Sequence, residues 1–312
     1  MHPVLALAAT TIVTMDRRGT GPELVVAFQG VANAYSDLAG RKYLDDLQVG
    51  GRLAGCRSFA AALAQLSDGR ADLAILPIEN TTAGSINQVY DLLLEADVAI
   101  VGEETWKVDH CLAGPVDVPL STLRRVLSHP QGLEQCANFL QSLPDVEPVA
   151  YFDTAEALRR VAELADPASA AIGSPQAAAA YGLVVLRTNI ANQEENHTRF
   201  VVVARARQRP AAILGREPAA GTLRKTSLIL AVRHERGALL RALEVLAAHG
   251  LSMTKLESRP RPGRPWEYLF FIDFEGDAED PAAAVAVRQL APVSVFVKVL
   301  GSYPVKALAR SG

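Results

Sequence analysis

Cysteine is scarce in this chain: Cys56, Cys111 and Cys136 stand far apart, with no CxxC and no pair of histidines at metal-ligand spacing. This excludes a disulfide-stapled scaffold and a structural zinc site, and it fits a reducing, cytoplasmic setting. A basic excess is missing as well. The formal net charge is -3, so the chain has no field of the kind that holds nucleic acid. No stretch approaches the roughly 18 consecutive apolar residues of a membrane-spanning helix, so no membrane partner is expected. Neither GxxxxGK[ST] nor GxGxxG occurs, and the glycines of VGGRLAG (49–55) lack the flanks of a phosphate-cradling loop. The mostly apolar residues 4–14 have their arginines after them, the reverse of a secretory signal. Residues 1–22 therefore read as an N-terminal extension, with Met15 as an alternative start.

What is present is an ordinary enzyme composition, 49% hydrophobic and 21% charged, in 312 residues, enough for two domains with cores of their own. From Glu23 to about Val203, strand-like runs alternate with helical patterns: LVVAF (24–28), ADLAIL (71–76), VAIVG (98–102), RRVLSH (124–129), AAIGS (170–174) and RFVVVA (199–204). Such alternation predicts an α/β domain with a largely parallel sheet. Residues 207–224 mix basic residues, Pro and Gly without a period and read as a linker. Beyond it come SLILAVR, GALLRALEVLAAHG, LSMTKLESR, WEYLFFIDF, DPAAAVAVRQLA and VSVFVKVLGSY. Their order is strand, helix, strand, strand, helix, strand, the ferredoxin-like βαββαβ arrangement.

Three strand-to-helix turns share one grammar. In LPIENTTAGSINQVYDLLLE (76–95) a strand meets Glu79, Asn80, Thr81, Thr82 and Gly84, then the helical stripe Ile86, Val89, Tyr90, Leu93. The helix is expected to start straight after this polar loop and to offer free N–H groups to an anion. In VLSHPQGLEQCANFL (126–140) Pro130 suits a first helical position and Leu133, Cys136, Ala137 and Leu140 form the stripe, leaving Gln135 off it. In AAIGSPQAAAAYGL (170–183) Ser174 is the expected cap and Pro175 the first helical residue. Gln29 and Gly30 end the first strand in a fourth such place. In open α/β sheets these ends line the ligand crevice, so a small carboxylate is the expected ligand. NHTRF (196–200) adds Arg199, a planar donor for carboxylates, beside Thr198. The same triplet also reads as a β-branched residue, a solvated charge and a core aromatic. His197 reads as a solvated neighbour.

FQGVANAYS, LPIENTTAGSINQVYDLL, SHPQGLEQC, IGSPQAAAAYGL and NHTRF, in this order and spacing, resemble the prephenate dehydratase family. GALLRAL followed by TKLESRP resembles the ACT regulatory domain found in that family. The resemblance covers residues 24 to about 304. It implies a two-lobed, periplasmic-binding-protein-like catalytic domain over 23–206, with lobe one at about 24–103 plus 190–205 and lobe two at about 104–189. An ACT domain over 225–304 would follow. It further implies decarboxylating dehydration of prephenate to phenylpyruvate without metal or organic cofactor. Thr198 would assist the leaving hydroxyl, helped by Glu79, Asn80, Ser128 and Gln135, while Arg199, Thr81, Gly84, Ser85 and Ser174 would bind the substrate. Arogenate dehydratase, or a non-catalytic amino-acid-binding regulator, is the alternative.

For the ACT region the resemblance implies L-phenylalanine as effector, held by Gly237, Ala238, Leu239, Ser252, Met253, Glu257 and Ser258. It also implies a homodimer or homotetramer. Without the resemblance, Gly237 reads rather as a helix-start glycine and Glu257–Pro260 as a strand end. The sequence departs from the family pattern at Asn33, where glycine is usual and a left-handed conformation is expected, and at Ser252, where asparagine is usual.

Overall fold

The computed structural model describes residues 23–143, 145–206, 208, 213, 219, 221–261, 263–264 and 267–306; the N-terminal extension and most of the expected linker lie outside the described residues. The chain begins with β1 (Leu24–Gln29), α1 (Tyr35–Leu47), β2 (Gly51–Cys56), α2 (Phe59–Ser67), β3 (Leu73–Asn80), β4 (Gly84–Ser85), α3 (Asn87–Glu95) and β5 (Val98–Lys107). Next come β6 (Cys111–Gly114), β7 (Arg125–Ser128), α4 (Pro130–Gln135), α5 (Ala137–Gln141), β8 (Glu147–Ala150), α6 (Thr154–Leu164), β9 (Ser169–Gly173), α7 (Pro175–Ala180), β10 (Val184–Arg187) and β11 (His197–Arg205).

The first sheet has the order β2-β1-β3-β11-β5, with β4 on β3. β1 runs parallel to both β2 and β3. The second sheet, β10-β6-β9-β7-β8, is mixed: β7 is parallel to β8 and β9, while β6 is antiparallel to β9 and β10. The parallel expectation thus fits β1–β3 and β7–β9 but not β6, which runs antiparallel to both its neighbours. The glycine-rich 49–55 run forms a strand, β2, and four short strands, β4, β6, β8 and β10, join those read from the sequence. The buried faces of α6 and β9, with Leu158, Val161 and Ala171, form one core, and Leu112, Val126 and Ile172 form another.

Two local expectations change. The stripe from Leu133 to Leu140 is not one helix, because Cys136 at φ -115° and ψ 19° separates α4 from α5. The polar loop after β3 does not lead straight into a helix either. Gly84 and Ser85 fold back antiparallel on Asn80 and Glu79, with Gly84 at φ +79°, where a side chain would be strained. Ile86 N–H then closes on Ile78 O at 2.9 Å, and α3 starts only at Asn87. Asn33 does take the left-handed conformation, at φ 68°.

By packing, the chain divides into two units: residues up to Asn87 with Glu104–Phe200, and Gln88–Glu103 with Val201 onward. The second unit contains β12 (Arg224–Ala231), α8 (Ala238–Ala248), β13 (Met253–Pro260), β14 (Tyr268–Glu275), α9 (Pro281–Val293) and β15 (Phe296–Pro304). Its sheet is antiparallel in the order β13-β14-β12-β15, the ferredoxin-like order, and Leu228, Leu230, Leu246, Ile272 and Leu290 fill its core.

α3 belongs to this second unit through its contacts. Tyr90 meets Phe271 edge-on with centroids 4.5 Å apart, and Arg259 Nη2 reaches both Asp91 oxygens at 2.8 and 2.9 Å. Lys298 Nζ donates to Leu93 O, Leu94 O and Ala96 O at 3.0, 3.0 and 2.7 Å. A cation on the last carbonyls of a helix satisfies acceptors that lack intrahelical partners and opposes the dipole, worth about 0.3–2 kcal/mol. The close approach of β15 to β5 depends on Gly301, at φ +148°, where a Cβ would collide with the Ile100 carbonyl. Gly301→Ala should therefore cost about 1–3 kcal/mol, from overpacking plus backbone strain, and lower the thermal unfolding midpoint. An unshifted midpoint would show that β15 has room to move away from β5.

Candidate active site

The site is built where β3 ends and β11 begins. Asn80, 4% exposed, closes β3 and folds its side chain over its own turn: Oδ1 accepts from Thr82 N at 3.0 Å and Ala83 N at 2.8 Å. With its oxygen held by backbone donors, the amide nitrogen has to face β11. There it donates to Asn196 Oδ1 at 2.8 Å, His197 O at 3.2 Å and Thr198 Oγ1 at 2.9 Å. Thr198, 8% exposed, thus accepts an N–H and keeps its own proton for another acceptor.

The same test sorts the other hydroxyls proposed from sequence. Ser174 caps α7 by accepting from Ala177 N at 3.1 Å, so it too retains a proton to give. Ser128 is fully buried and has already donated to Ile172 O at 2.8 Å, a bond within the second sheet. Thr81 donates to Glu195 O at 3.1 Å and accepts from His197 N at 2.9 Å, clasping the turn to the start of β11. The N–H groups of Thr81, Thr82, Ala83 and Ile86 all have acceptors within the protein, so these four are not free to hold an anion.

Gln135, at the end of α4, donates to Thr82 Oγ1 at 2.8 Å and points its Oε1 at His110 Nε2, 2.9 Å away. It therefore ties the helix layer of the second sheet to the turn of the first. Glu79 and Arg199 are placed differently. Side chains alternate along a strand, so these two fall on the face opposite Asn80 on β3 and Thr198 on β11, and both are half-buried. The planar donor and the threonine that adjoin in sequence thus fall on opposite faces of β11. Gly84 and Ser85 form β4, exposed and half-buried respectively.

Sequence reasoning missed Asn196, Thr82 and His110 as site members. Asn196 and Thr82 were visible only as polar residues beside better candidates, and His110 is a lone histidine between Asp109 and Cys111, with no motif around it. Burial pushes its imidazole pKa below the ordinary value, outweighing the raising influence of Gln135 and Asp109, so the ring is neutral. Asp153, the N-cap of α6, is pushed up by burial, and burial holds His129 down. Burial raises Cys111 to about 11 and Cys136 to about 12, so neither is a thiolate nucleophile near neutral pH. No group of His, Cys, Asp and Glu suited to a metal ion occurs among the described residues, and no helix among them is long and apolar enough to cross a membrane.

The second unit carries a separate open pocket of about 150 Å³, lined among others by His234, Ala238, Leu239, Tyr268 and Phe270. Gly237, at φ 73°, caps α8 beside it. Ser252, Met253, Glu257 and Ser258 do not line that pocket; Ser252 precedes the edge strand β13 and the other three lie on it.

A family model described as prephenate dehydratase matches residues 26–208. The bifunctional chorismate mutase/prephenate dehydratase of Enterobacter agglomerans is 42% identical over 281 residues, 89% of this chain and 70% of that protein. The bifunctional N-acyl-homoserine lactone acylase/prephenate dehydratase of Komagataeibacter europaeus is 38% identical over 288 residues, 92% of this chain and 98% of that protein. The crystal structure of prephenate dehydratase from Arthrobacter aurescens in complex with L-Phe superposes with a TM-score of 0.78 at 27% identity, covering 90% of each chain. On the extent of these matches, the chain belongs to the prephenate dehydratase family.

Proposed function

We propose that the chain converts prephenate to phenylpyruvate, carbon dioxide and water, and that Thr198 serves the departing oxygen. The observation that carries this reading is the hydrogen bond from Asn80 Nδ2 to Thr198 Oγ1 at 2.9 Å. In the reaction the bond to the ring carboxylate breaks and its electron pair enters the ring. The C–O bond opposite breaks with its own pair, and the leaving hydroxide takes up a proton to become water. Aromatisation supplies the driving force, so the protein has to stabilise negative charge developing on one oxygen. A threonine hydroxyl is a weak acid. Its contribution is a hydrogen bond that strengthens as the oxygen departs, in a site with little water to compete. The Asn80 N–H makes it a better donor by withdrawing electron density from Oγ1.

Ser174, which keeps its proton, is assigned to orientation of a substrate carboxylate, and Gln135 to holding the turn. Glu79 and Arg199, on the other face, are assigned to supporting the strands rather than to the reacting atoms. No step needs a cofactor. Arogenate differs from prephenate only away from the ring, so turnover of both compounds by the purified full chain decides between them. An N-acyl-homoserine lactone belongs in the same comparison.

Thr198→Val keeps the shape and removes the donor. Asn80 retains Asn196 as partner, so the fold should survive while kcat falls on the order of 10²–10³-fold; wild-type turnover would remove Thr198 from this role. Asn80→Asp places an acceptor opposite Oγ1 and turns the threonine proton backward, away from substrate. The expected result is a kcat loss of similar order with near-normal KM. A change confined to KM would assign Asn80 to binding alone.

The second unit is assigned to regulation by L-phenylalanine, on the family pattern of residues 237–239 and the pocket beside them, in a cytoplasmic homodimer or homotetramer. Steady-state kinetics with and without L-phenylalanine, alongside its effect on the thermal midpoint, test this. No response in either would leave the unit without that effector.

A further inference from the structure

The protons of the site can be placed one by one. Asn80 Oδ1 already faces two backbone N–H groups and has no hydrogen of its own. The 2.7 Å contact between it and Thr82 Oγ1 must therefore contain the threonine proton. Thr82 then has none left for Gln135, 2.8 Å away, so the group facing it is the Gln135 NH2. The other end of that amide, Oε1, consequently faces His110 Nε2 at 2.9 Å, and the hydrogen in that contact has to come from the imidazole. His110 is neutral and carries its proton on Nε2. Its Nδ1 is an acceptor, so the 3.1 Å contact with Tyr35 Oη is served by the tyrosine proton, which Tyr35 shares with Asp109 O at 2.8 Å. Tyr35 stays protonated for this purpose, since burial raises its pKa well above the ordinary value.

We propose that His110, fixed in the Nε2–H tautomer by Tyr35, is a positioning residue for Thr198. It acts through Gln135, whose amide it orients so that the NH2 group holds Thr82 against Asn80. The inference rests on the dehydratase reading for its kinetic test, but not for its tautomer. The geometry supports a connecting role. His110 is 4% exposed and lies on the segment joining β5 to β6, where Val108 N also reaches Asn196 O at 2.7 Å. Both of its ring nitrogens are engaged, Nδ1 with Tyr35 and Nε2 with Gln135. The alternative tautomer would leave Nε2 and Oε1 as two facing acceptors unless Gln135 reversed, and a reversed Gln135 would turn Thr82 away from Asn80.

The test has two arms. In the first, 15N chemical shifts of the His110 imidazole in the full chain report which nitrogen bears the proton. Nε2–H is expected, and an Nδ1–H ring would overturn the proposal whatever the enzyme turns over. In the second, wild type is first shown to consume prephenate; failure there sinks the functional reading and leaves the tautomer result standing. His110→Leu should then lower kcat on the order of 10- to 100-fold with KM little changed, as for misplaced reacting groups. His110→Gln, whose amide N–H can stand where Nε2–H stood, should recover most of that loss, and His110→Asn, whose N–H can reach only the Nδ1 position, should not. Since His110 works through Gln135, the double variant His110→Leu, Gln135→Met should be no slower than Gln135→Met alone. Additive losses, equal Gln and Asn variants, or a Leu variant with wild-type kcat would each overturn the proposal.

Discussion

One side-chain amide holds the site together. Asn80 sits at the last position of a central strand, where the chain turns back on itself, and two backbone N–H groups of that turn fix its oxygen. An amide that cannot rotate becomes a one-way connector: its nitrogen must face the neighbouring strand and Thr198. Buried polar groups are costly unless fully partnered, and a partnered network in a low-dielectric setting is correspondingly rigid. The rigidity is useful because a threonine hydroxyl has only one proton and many rotamers. Held as an acceptor on one side, it has to present that proton on another.

The hydroxyls around this point are therefore not equivalent, although they look alike in sequence. Ser128 and Thr81 donate to main-chain carbonyls and serve to keep layers together. Thr198 and Ser174 accept from amides and remain donors. The distinction lies in hydrogen direction, which depends on neighbours distant in the chain: Asn80 and Thr198 are 118 residues apart.

That separation also explains what was legible beforehand. Caps and turns are local, so Ser174 with Pro175, Pro130 at the start of α4, and the left-handed Asn33 could be read from adjacent residues. The βαββαβ order was legible because its strands are long apolar runs. The small strands β4, β6, β8 and β10 were not, because two to four residues carry too little period to distinguish them from loops, and the glycine-rich β2 has too few apolar residues to show one. The break at Cys136 has no sequence mark, since the apolar stripe continues through it. Thr198 and Asn80 could be read as candidates from their motifs, but the opposite facing of Arg199 follows from strand alternation and could be seen only once β11 was known to begin at His197. His110 left no trace at all: its role comes from Tyr35 and Gln135, at distances of 75 and 25 residues.

The helix α3 leaves the Asn80 turn within a few residues, yet its apolar face, the Arg259–Asp91 pair and the Lys298 clamp all tie it to the C-terminal sheet. A cut in the segment before β12 would divide the polypeptide without dividing the hydrophobic interior. The severed N-terminal piece would keep α3 but lose what covers Tyr90 and leave the Leu93 carbonyl without its ammonium partner. The module that looks detachable in the sequence thus shares its core with a helix from the N-terminal part of the chain. A free-standing catalytic version would have to rewrite the buried face of α3 before it could remain soluble.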